Sequence, residues 1–456
     1  MSELKQGGAG RADWGSRRRF LRNAAAWVFG PTILPATALG RGHAVAASER
    51  ITLGFIGLGA MGSGHLNRML RFPETQVLAV CDVDRWRREH GQRMVRQAYA
   101  VSRPEGDPWP CDAYHDLRDL IQRDDLDGVV ISPGDRWHAV ATIEAAKAGK
   151  DIYCEKPTSL TIEEALAMIG CVRRYGRVFQ TGLQQRSTPE FVRACRLVQE
   201  GRLGKIQYVY VGHPGTCDYL NLPAEPVPDG LDWDLWLGPV PWRPYNSRFH
   251  PYGKPSGVVP WHICRTFGGS NLTSNTVHAF DVVQWALGAD GGGPVSVSPP
   301  GTGDFPMLTY RYASGELLHV DWQVNPDVHP VPDGWSPGTR IQSFGALFVG
   351  EDGWIHVGRR GFLESHPAEI VAEAERDDRG RALANHHQNW LDCIRTRQRT
   401  VCDADVGCGS SIVSHLGCIA HWTGRNLQWD PQRAEFDDSL ANVMRSRPLR
   451  EPWSLI

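Results

Sequence analysis

The sequence predicts an α/β domain with a doubly wound parallel sheet, followed by an α+β domain whose open antiparallel sheet is flanked by helices. Two observations predict the first domain: short apolar runs alternate with helix-like segments between residues 51 and 181, and a glycine-rich turn follows the first run. One observation predicts the second: after residue 205, several runs alternate apolar and polar side chains. The 456 residues are enough for two or three domains with sizeable cores.

The first 46 residues have the three-part order of an export signal. The run from Ser16 to Arg22 resembles a twin-arginine signal, an apolar run extends from Ala24 to Leu39, and Ala46 ends a small-residue cleavage site. We therefore expect the twin-arginine export machinery to deliver a periplasmic protein whose mature chain begins near residue 47. Because the apolar run is short and interrupted by prolines, we expect no stable membrane anchor. A disordered basic tail is the alternative.

The formal net charge of -2 does not indicate nucleic acid or an anionic membrane as a partner. The eleven cysteines are odd in number and lack tight paired spacing, so a disulfide framework is not required. The sequence contains no zinc-site spacing, and we predict no metal site.

The first strand runs from Ile51 to Ile56 and leads into a G-x-G-x-x-G turn. A second apolar run, from Gln76 to Cys81, ends on Asp82, twenty residues past the last glycine. This is the layout of a Rossmann dinucleotide-binding unit, in which glycines let the backbone approach a pyrophosphate at a helix N-terminus. Asp82 can accept hydrogen bonds from ribose hydroxyls and would repel a 2′-phosphate, which favours NAD, although Arg85 leaves NADP possible. The turn provides these predicted cofactor contacts: Gly57, Gly59, Met61 and Gly62.

The alternation of strands and helices continues to Thr181. The sequence predicts strands over 128–132, 151–154 and 177–181 and helices over 116–123, 138–149 and 161–175. Residues 99–112, rich in proline and charge, are predicted to be an insertion loop.

Lys156 stands between the buried strand and Pro157. A residue before proline favours extended backbone, so this lysine is held at the carboxyl end of a strand, where open α/β sheets have their ligand crevice. A partly desolvated lysine there can lose its proton near neutral pH and act as a general acid or base. The alternative is a surface lysine beside a turn.

These motifs together resemble the Gfo/Idh/MocA oxidoreductase family. The likeness rests on the glycine fingerprint, residues 80–82, the Ser132 to His138 segment and the Tyr153 to Pro157 segment. It is closest to the exported subgroup that includes glucose-fructose oxidoreductase and NAD-dependent glycosidases. The resemblance implies that Lys156 works at the substrate hydroxyl beside the nicotinamide and that Pro157 follows a cis peptide.

The resemblance also assigns further contacts. It places Ser132, His138 and Glu155 at the cofactor, together with Lys156, and it places Gln185 and Arg186 at the substrate. Taken alone, His138 is equally well interpreted as a residue at a helix N-terminus.

The second domain begins near residue 185. We predict a signal peptide at 1–46, a dinucleotide-binding domain at 47–184 and a substrate and oligomerisation domain at 185–456. Its predicted strands are 206–211, 308–312, 316–323, 342–349 and 354–357, and its predicted helices are 189–200, 385–395 and 405–425. We expect the last two helices to pack back on the first domain. By resemblance the sheet forms the substrate wall and its outer face carries oligomer contacts, so we expect a homo-oligomer.

A long segment at residues 213–270 is dense in proline, glycine and aromatic side chains. Loops of this length are usually functional or disordered, and the many indoles argue against disorder. Trp236 and Tyr245 offer flat apolar faces on which the C–H faces of a sugar can lie. The alternative is that these rings only pack the loop.

Ser274 and His278 lie where the family has an aspartate, three residues and a histidine. In an α-helix this spacing stacks both side chains on one face, where they can converge with Lys156 on a substrate hydroxyl. A serine hydroxyl can hold a hydrogen bond but supplies no negative charge. His278 is thus a predicted partner of Lys156, or else a core histidine.

Three functions follow from these observations. The first is an NAD(P)-dependent oxidoreductase that acts on a sugar or polyol hydroxyl, with Lys156 as acid/base. The second is an NAD-dependent glycosidase that oxidises its sugar transiently. The third is a catalytically impaired relative that binds a sugar or a dinucleotide.

Overall fold

The computed structural model describes residues 45–100, 111–254, 260–377 and 385–456. Residues 51–456 form one compact unit, and the described end of the preceding unit holds a short 3-10 turn, Ala47–Glu49. The predicted export signal, apart from its last two residues, and most of the predicted insertion loop lie outside the described residues.

The first sheet has six strands in the order β3-β2-β1-β4-β5-β6, and all of its pairs are parallel. Its strands are β1 (Ile51–Ile56), β2 (Thr75–Cys81), β3 (Asp112–Tyr114), β4 (Gly128–Ile131), β5 (Asp151–Cys154) and β6 (Phe179–Thr181). The intervening helices are α1 (Ala60–Met69), α2 (Arg85–Ala100), α3 (Leu117–Ile121), α4 (Asp135–Lys147) and α5 (Ile162–Arg174). The predicted doubly wound sheet is confirmed.

Both faces of the first sheet are buried. Along β1, Phe55 packs in a cluster with Tyr153, whereas the next residue, Ile56, packs in the opposite cluster with Ile152. Side chains of a strand alternate between faces, so strands covered on both sides become the continuous apolar runs seen in the sequence. Trp390, a residue near the C-terminal end, completes the cluster around Phe55 and is fully buried.

The second sheet has nine strands in the order β13-β12-β11-β7-β10-β9-β8-β14-β15. Its strands are β7 (Ile206–Val211), β8 (Pro294–Ser298), β9 (Leu308–Tyr312), β10 (Leu317–Val320), β11 (Ala346–Gly350), β12 (Gly353–Val357), β13 (Leu363–His366), β14 (Leu427–Asp430) and β15 (Glu435–Phe436). β7 and β10 pair in parallel, and the other pairs are antiparallel. The sheet is therefore mixed, with one exception to the predicted antiparallel pattern.

Within the described part of the chain, seven helices follow the first domain, and some of them cover one face of the second sheet. They are α6 (Pro189–Gln199), α7 (Trp233–Leu237), α8 (Val277–Ala286), α9 (Glu369–Asp377), α10 (His386–Thr396), α11 (Ala404–Thr423) and α12 (Ser439–Val443), with 3-10 turns at Gln184–Ser187 and Pro260–Ile263 and a π turn at Leu272–Thr276. In the described ranges, none of the helices is long and apolar enough to cross a membrane. All eleven cysteines are unpaired.

The opposite face of the second sheet is covered by the chain itself. Val324, Trp335 and Ile341, from the segment between β10 and β11, pack on Tyr210 and Leu347 of the sheet. We call residues 321–345 the covering segment. The sequence predicts oligomer contacts on this outer face, but the covering segment occupies it.

Candidate active site

A cavity of about 590 Å³ opens at the carboxyl ends of β1, β2, β4 and β5. Parallel sheets of this type bind ligands at that edge. Ten of the residues predicted to contact cofactor or substrate line it: Gly57, Gly59, Met61, Asp82, Ser132, His138, Glu155, Lys156, Trp236 and Ser274.

The glycine turn between β1 and α1 is packed too closely for side chains. Gly57 has a φ of +84°, and a Cβ on it would lie 2.4 Å from the nitrogen of Pro133. A Cβ on Gly62 would lie 1.9 Å from the carbonyl oxygen of Gly57 and 2.6 Å from Oγ of Ser132. By contrast, a Cβ on Gly59 would meet only the end of Arg87, at 3.5 Å. The backbone of the turn is therefore open to a pyrophosphate at the N-terminus of α1.

Asp82 ends β2 beside this turn. Its Oδ2 accepts a hydrogen bond from the N–H of Leu58 at 2.7 Å, and its Oδ1 accepts one from the N–H of Asp84 at 2.9 Å. Each carboxylate oxygen has a second lone pair, which is the acceptor that ribose hydroxyls require. The turn and this carboxylate fit a dinucleotide.

Lys156 follows β5, and its peptide bond to Pro157 is cis, which confirms that expectation. Its Nζ donates a hydrogen bond to the carbonyl oxygen of Ser274 at 2.7 Å. Because that oxygen belongs to the backbone, the contact does not depend on the serine side chain. The ammonium is thus fixed between the two sheets at the edge of the cavity.

Glu155 is buried behind Lys156. Its Oε1 lies 2.8 Å from Nε2 of His65, whose Nδ1 lies 2.9 Å from Nε2 of His387. Burial alone would raise the pKa of Glu155, but the hydrogen bond and charge of His65, and the charge of Lys156, lower that pKa to about 2. Glu155 is therefore a fixed negative charge that orients the end of β5.

His138 lies in the first turn of α4. Its Nδ1 donates to the carbonyl oxygen of Pro157 at 2.6 Å, and burial lowers the pKa of its imidazole. The neutral ring therefore links α4 to the cis proline. It also lines the cavity, so both interpretations of His138 fit its position.

Aromatic residues from the segment at 213–270 form the roof of the cavity. Trp236, Phe249 and Trp261 line it. The guanidinium of Arg136 stacks 3.5 Å from the ring centre of Trp236, and its Nε donates to the carbonyl oxygen of Trp236 at 2.8 Å. The roof is thus attached to α4.

No local sequence pattern singles out Asp135 or Arg136, although both line the cavity and are nearly fully buried. The G-D-R-W run was visible only as part of a family motif. Burial of its two charges depends on the roof, and no local pattern signals that packing.

Besides His278, three predicted substrate contacts lie outside the cavity lining. Arg186 is buried, with its Nε 2.9 Å from Oδ1 of Asp281 and its Nη2 2.6 Å from Oδ1 of Asp290. The side-chain amide of Gln185 donates to the carbonyl oxygen of Phe344 at 3.2 Å. The hydroxyl of Tyr245 donates to the carbonyl oxygen of His250 at 2.9 Å. Arg186 and Tyr245 are thus engaged within the protein, whereas the buried Oε1 of Gln185 has no partner among the described residues. The placement of all three outside the cavity lining does not support a role at the substrate.

His278 is 3% exposed and does not line the cavity. Burial, followed by the charges of Lys156 and Arg359, lowers the pKa of its imidazole well below the usual value. Ser274, in the π turn Leu272–Thr276, lines the cavity, whereas His278, at the start of α8, does not, so the two residues do not meet at the cavity wall. Among the residues that the structure describes, none is a hydrogen-bond partner of the Nδ1 of His278.

Across the described parts of the chain, no group of three or more histidine, cysteine, aspartate and glutamate side chains is placed to hold a metal ion.

The fold and this cavity define a dinucleotide-dependent oxidoreductase. Residues 51–183 match the model of an "oxidoreductase family, NAD-binding Rossmann fold", and residues 205–319 and 368–455 match its "C-terminal alpha/beta domain". The protein belongs to the Gfo/Idh/MocA oxidoreductase family, and its first domain binds NAD.

Curated relatives include dehydrogenases of inositol. An uncharacterized oxidoreductase of Bacillus subtilis is 29% identical over 284 residues, which cover 60% of this chain and 67% of that protein. The inositol 2-dehydrogenase/D-chiro-inositol 3-dehydrogenase of Lactiplantibacillus plantarum is 27% identical over 41% of this chain and 51% of its own. A glycosyl hydrolase family 109 protein of Shewanella pealeana is 29% identical over 29% of this chain and 28% of its own. For the latter two, the chain spans about half or less of the relative.

Solved structures with the same fold include two NAD-bound dehydrogenases. The WlbA dehydrogenase of Bordetella pertussis, in complex with NADH and UDP-GlcNAcA, has a TM-score of 0.56 and 15% identity over 83% of this chain and 98% of its own. The scyllo-inositol dehydrogenase of Lactobacillus casei, with NAD(H) and scyllo-inositol, has a TM-score of 0.52 and 15% identity over 83% and 99%. At such identity the likeness establishes the fold alone.

Proposed function

We propose that the protein transfers hydride between NAD and a hydroxyl-bearing carbon of a sugar or polyol. The observation that carries this proposal is the meeting of the glycine turn and the Lys156 ammonium in one cavity. The inositol dehydrogenases among the relatives support the substrate class.

In this proposal Lys156 binds the reacting hydroxyl and moves its proton. An ammonium has three N–H donors, and the carbonyl oxygen of Ser274 takes one of them, so the others can reach a substrate oxygen. The indole of Trp261 lines the cavity and provides an apolar face for the C–H surface of the ring. The indole of Trp236 does not provide one, because Arg136 and Trp233 stack on it. When bound, NAD supplies the hydride acceptor.

Replacement of the lysine tests this assignment. We expect Lys156→Met to lower kcat by about 10²–10⁴-fold, the usual contribution of a general acid/base, while NAD still binds. The measurements are NADH formation with inositols and aldoses as substrates, and NAD titration. Lys147→Met, at an exposed surface position paired with Glu144, is the control. Full activity of Lys156→Met would exclude the proposed role.

Glycoside cleavage by transient oxidation is the second candidate, favoured by the similarity to the glycosyl hydrolase family 109 protein. Such a reaction returns the hydride to the substrate and needs no net oxidant. Product analysis with glycosides, without added NAD, distinguishes the two reactions.

The third candidate is a catalytically impaired relative that binds a sugar or a dinucleotide, and Ser274→Asp tests it. Such a binding protein would gain turnover from the new carboxylate, whereas an enzyme adapted to the serine would lose turnover.

We also propose that the protein is exported through the twin-arginine pathway with NAD already bound, because free NAD is not available outside the cytoplasm. Replacement of Arg17 and Arg18 by lysine should retain the protein in the cytoplasm, as measured by cell fractionation. Lys5→Arg is the control. An unchanged distribution of the double variant would reject the proposal. The absorbance spectrum of the exported, denatured protein reports the carried dinucleotide.

A further inference from the structure

One carboxylate of the cavity wall keeps an oxygen without a partner. Asp135 is the first residue of α4, and its side chain is 3% exposed. Within the described ranges, no group donates a hydrogen bond to its Oδ2. A Cβ on Gly268 would lie 3.2 Å from this oxygen, so the carboxylate faces the loop that leads to Ser274. A buried acceptor without a donor carries a cost that calls for a functional explanation.

The other carboxylates that line the cavity are engaged. Asp82 accepts two backbone N–H groups, Asp116 caps α3 and binds Arg118, and Glu155 binds His65. Asp135 is therefore the one carboxylate of this lining with a buried, unused oxygen.

Asp135 and Lys156 follow neighbouring strands. β4 and β5 pair in parallel with Ile131 opposite Cys154, so the residues just beyond them emerge at the same edge of the sheet. Lys156 needs a proton acceptor close by if it is to take up a hydroxyl proton. Ser274 provides no carboxylate on the opposite wall, whereas Asp135 provides one on this side.

We propose that Asp135 is the final proton acceptor of the reaction, acting through Lys156 in place of a carboxylate at position 274. This inference rests on the proposed function and adds a residue to it.

In the direction of oxidation, the proposed step conserves atoms and electrons. The substrate O–H bond breaks and its proton passes to Nζ of Lys156. A rotation of the Lys156 side chain then brings a different Nζ–H proton to Oδ2 of Asp135, with which Nζ makes no hydrogen bond at rest. The C–H bond breaks, its electron pair leaves as hydride to the oxidised nicotinamide, and a C=O bond forms. Asp135 ends neutral, and Lys156 is again an ammonium.

The surroundings of Asp135 set the pH at which it can accept a proton. Burial, opposed by the charges of Lys156 and Arg136 and by its own backbone N–H, raises the pKa of Asp135 to about 7. Glu155 adds a smaller upward shift. The thiols of Cys154 and Cys217 also lie within its electrostatic reach, and burial raises the pKa of both, so they remain neutral.

The first test is the pH dependence of turnover. In the direction of oxidation, kcat/KM should rise with pH until about pH 7, as Asp135 becomes ionised. Asp135→Asn should lower kcat by about 10²-fold or more and abolish this rise, with the Kd for NAD changed less than about threefold. Asp392→Asn, at an exposed position on α10, should keep the wild-type profile. An unchanged profile in Asp135→Asn would overturn the inference.

The second test moves the carboxylate to the other wall. The double variant Asp135→Asn/Ser274→Asp should have a kcat at least about tenfold higher than that of Asp135→Asn alone. The backbone carbonyl that holds Lys156 is unaffected by the change at position 274. In the wild-type background the same change should lower kcat, since it adds a second buried carboxylate. Restoration supports the inference, and a double variant no faster than Asp135→Asn contradicts it.

The third test needs neither substrate nor cofactor. A carboxyl whose native pKa is raised from 3.8 to about 7 binds its proton more tightly in the folded state. Its contribution to stability is therefore complete below about pH 4 and is lost as pH rises to about 7. We expect Asp135→Asn to raise the urea midpoint above that of the wild type at pH 8 and to raise it less at pH 4. Asp392→Asn should show no such difference between the two pH values.

These tests separate two failures. A wild-type protein that binds no NAD and turns over no sugar or polyol rejects the proposed function. The role of Asp135 alone is rejected if the wild-type protein is active and the Asp135→Asn variant matches it. The two proteins must then agree both in kcat and in the pH dependence of the urea midpoint.

Discussion

Two glycines of the same helix illustrate how closely the cofactor turn is built. Gly62 and Gly64 both lie in α1, one turn of which faces the cavity. A Cβ on Gly62 would collide with Gly57 and Ser132, whereas a Cβ on Gly64 would meet nothing within 4 Å. The first glycine is required by the approach of α1 to β4, and the second is not.

Alanine substitutions at these positions should therefore have opposite effects. We expect Gly62→Ala to cost about 1–3 kcal/mol of unfolding free energy through overpacking, and to weaken NAD binding because the turn must open. Gly64→Ala should gain about 0.5–1 kcal/mol, since it removes a flexible residue from a helix. Urea unfolding and NAD titration measure both effects. Normal NAD binding by Gly62→Ala would show that the turn tolerates a side chain.

At this scale the sequence predicts residues that act through local spacing. The glycines, Asp82 and Lys156 reach the cavity because each follows a strand directly. Asp135 could not be found in this way, since its burial depends on a roof that folds from a distant part of the chain. Ser274 lines the cavity but His278 does not, and their four-residue spacing does not reveal which of the two the surrounding chain buries.

At the scale of elements, a buried ion pair joins the first turn of the second domain to α8. Arg186, in the 3-10 turn Gln184–Ser187, binds Asp281 within α8 and Asp290 beyond its end. The side chains of Arg186 and Asp281 are 5% and 1% exposed. α8 follows the π turn that holds Lys156 through Ser274, so the pair fixes one wall of the cavity.

Removal of this arginine should destabilise the protein. We expect Arg186→Ala to cost about 3–5 kcal/mol in urea unfolding, because it leaves the Asp281 carboxylate buried without its cation. Arg173→Ala, which breaks an exposed pair with Asp405, should cost less than about 1 kcal/mol. Equal losses of unfolding free energy in the two variants would show that the buried pair adds no more stability than the exposed pair.

The elements that the sequence predicts are those with clear apolar patterns. β1, β5, β7, β9, α6 and α11 lie within a few residues of their predicted bounds. α2 was not predicted, because its sixteen residues are mostly charged or polar and only Gly91 and Val95 are buried. β3 was not predicted because it has three residues and lies at the edge of the sheet, next to the supposed insertion loop.

At the scale of the whole molecule, the covering segment decides which surfaces are open to other subunits. Trp335 is 7% exposed and packs edge-on against Trp354 of β12, with ring centres 5.1 Å apart. The second sheet is thus covered on both faces within one chain. A homo-oligomer remains our expectation from the sequence, and we expect it to use a surface other than this face.

Truncation of Trp335 tests the cover. We expect Trp335→Ala to cost about 3–5 kcal/mol of unfolding free energy, through lost burial and a residual cavity. The number of subunits, measured by light scattering, should not change. Trp242→Ala, at a side chain 63% exposed, should leave both quantities nearly unchanged. A change in subunit number in Trp335→Ala alone would assign this face to an interface.

The burial of Trp390 has a consequence for how the protein is made. This indole, from α10, completes the apolar layer on one side of the first sheet, so part of that layer lacks its cover until α10 has been synthesised. The N-terminal half therefore completes its core only after α10 has been synthesised. A ribosome-bound intermediate would need protection from aggregation until synthesis is almost finished.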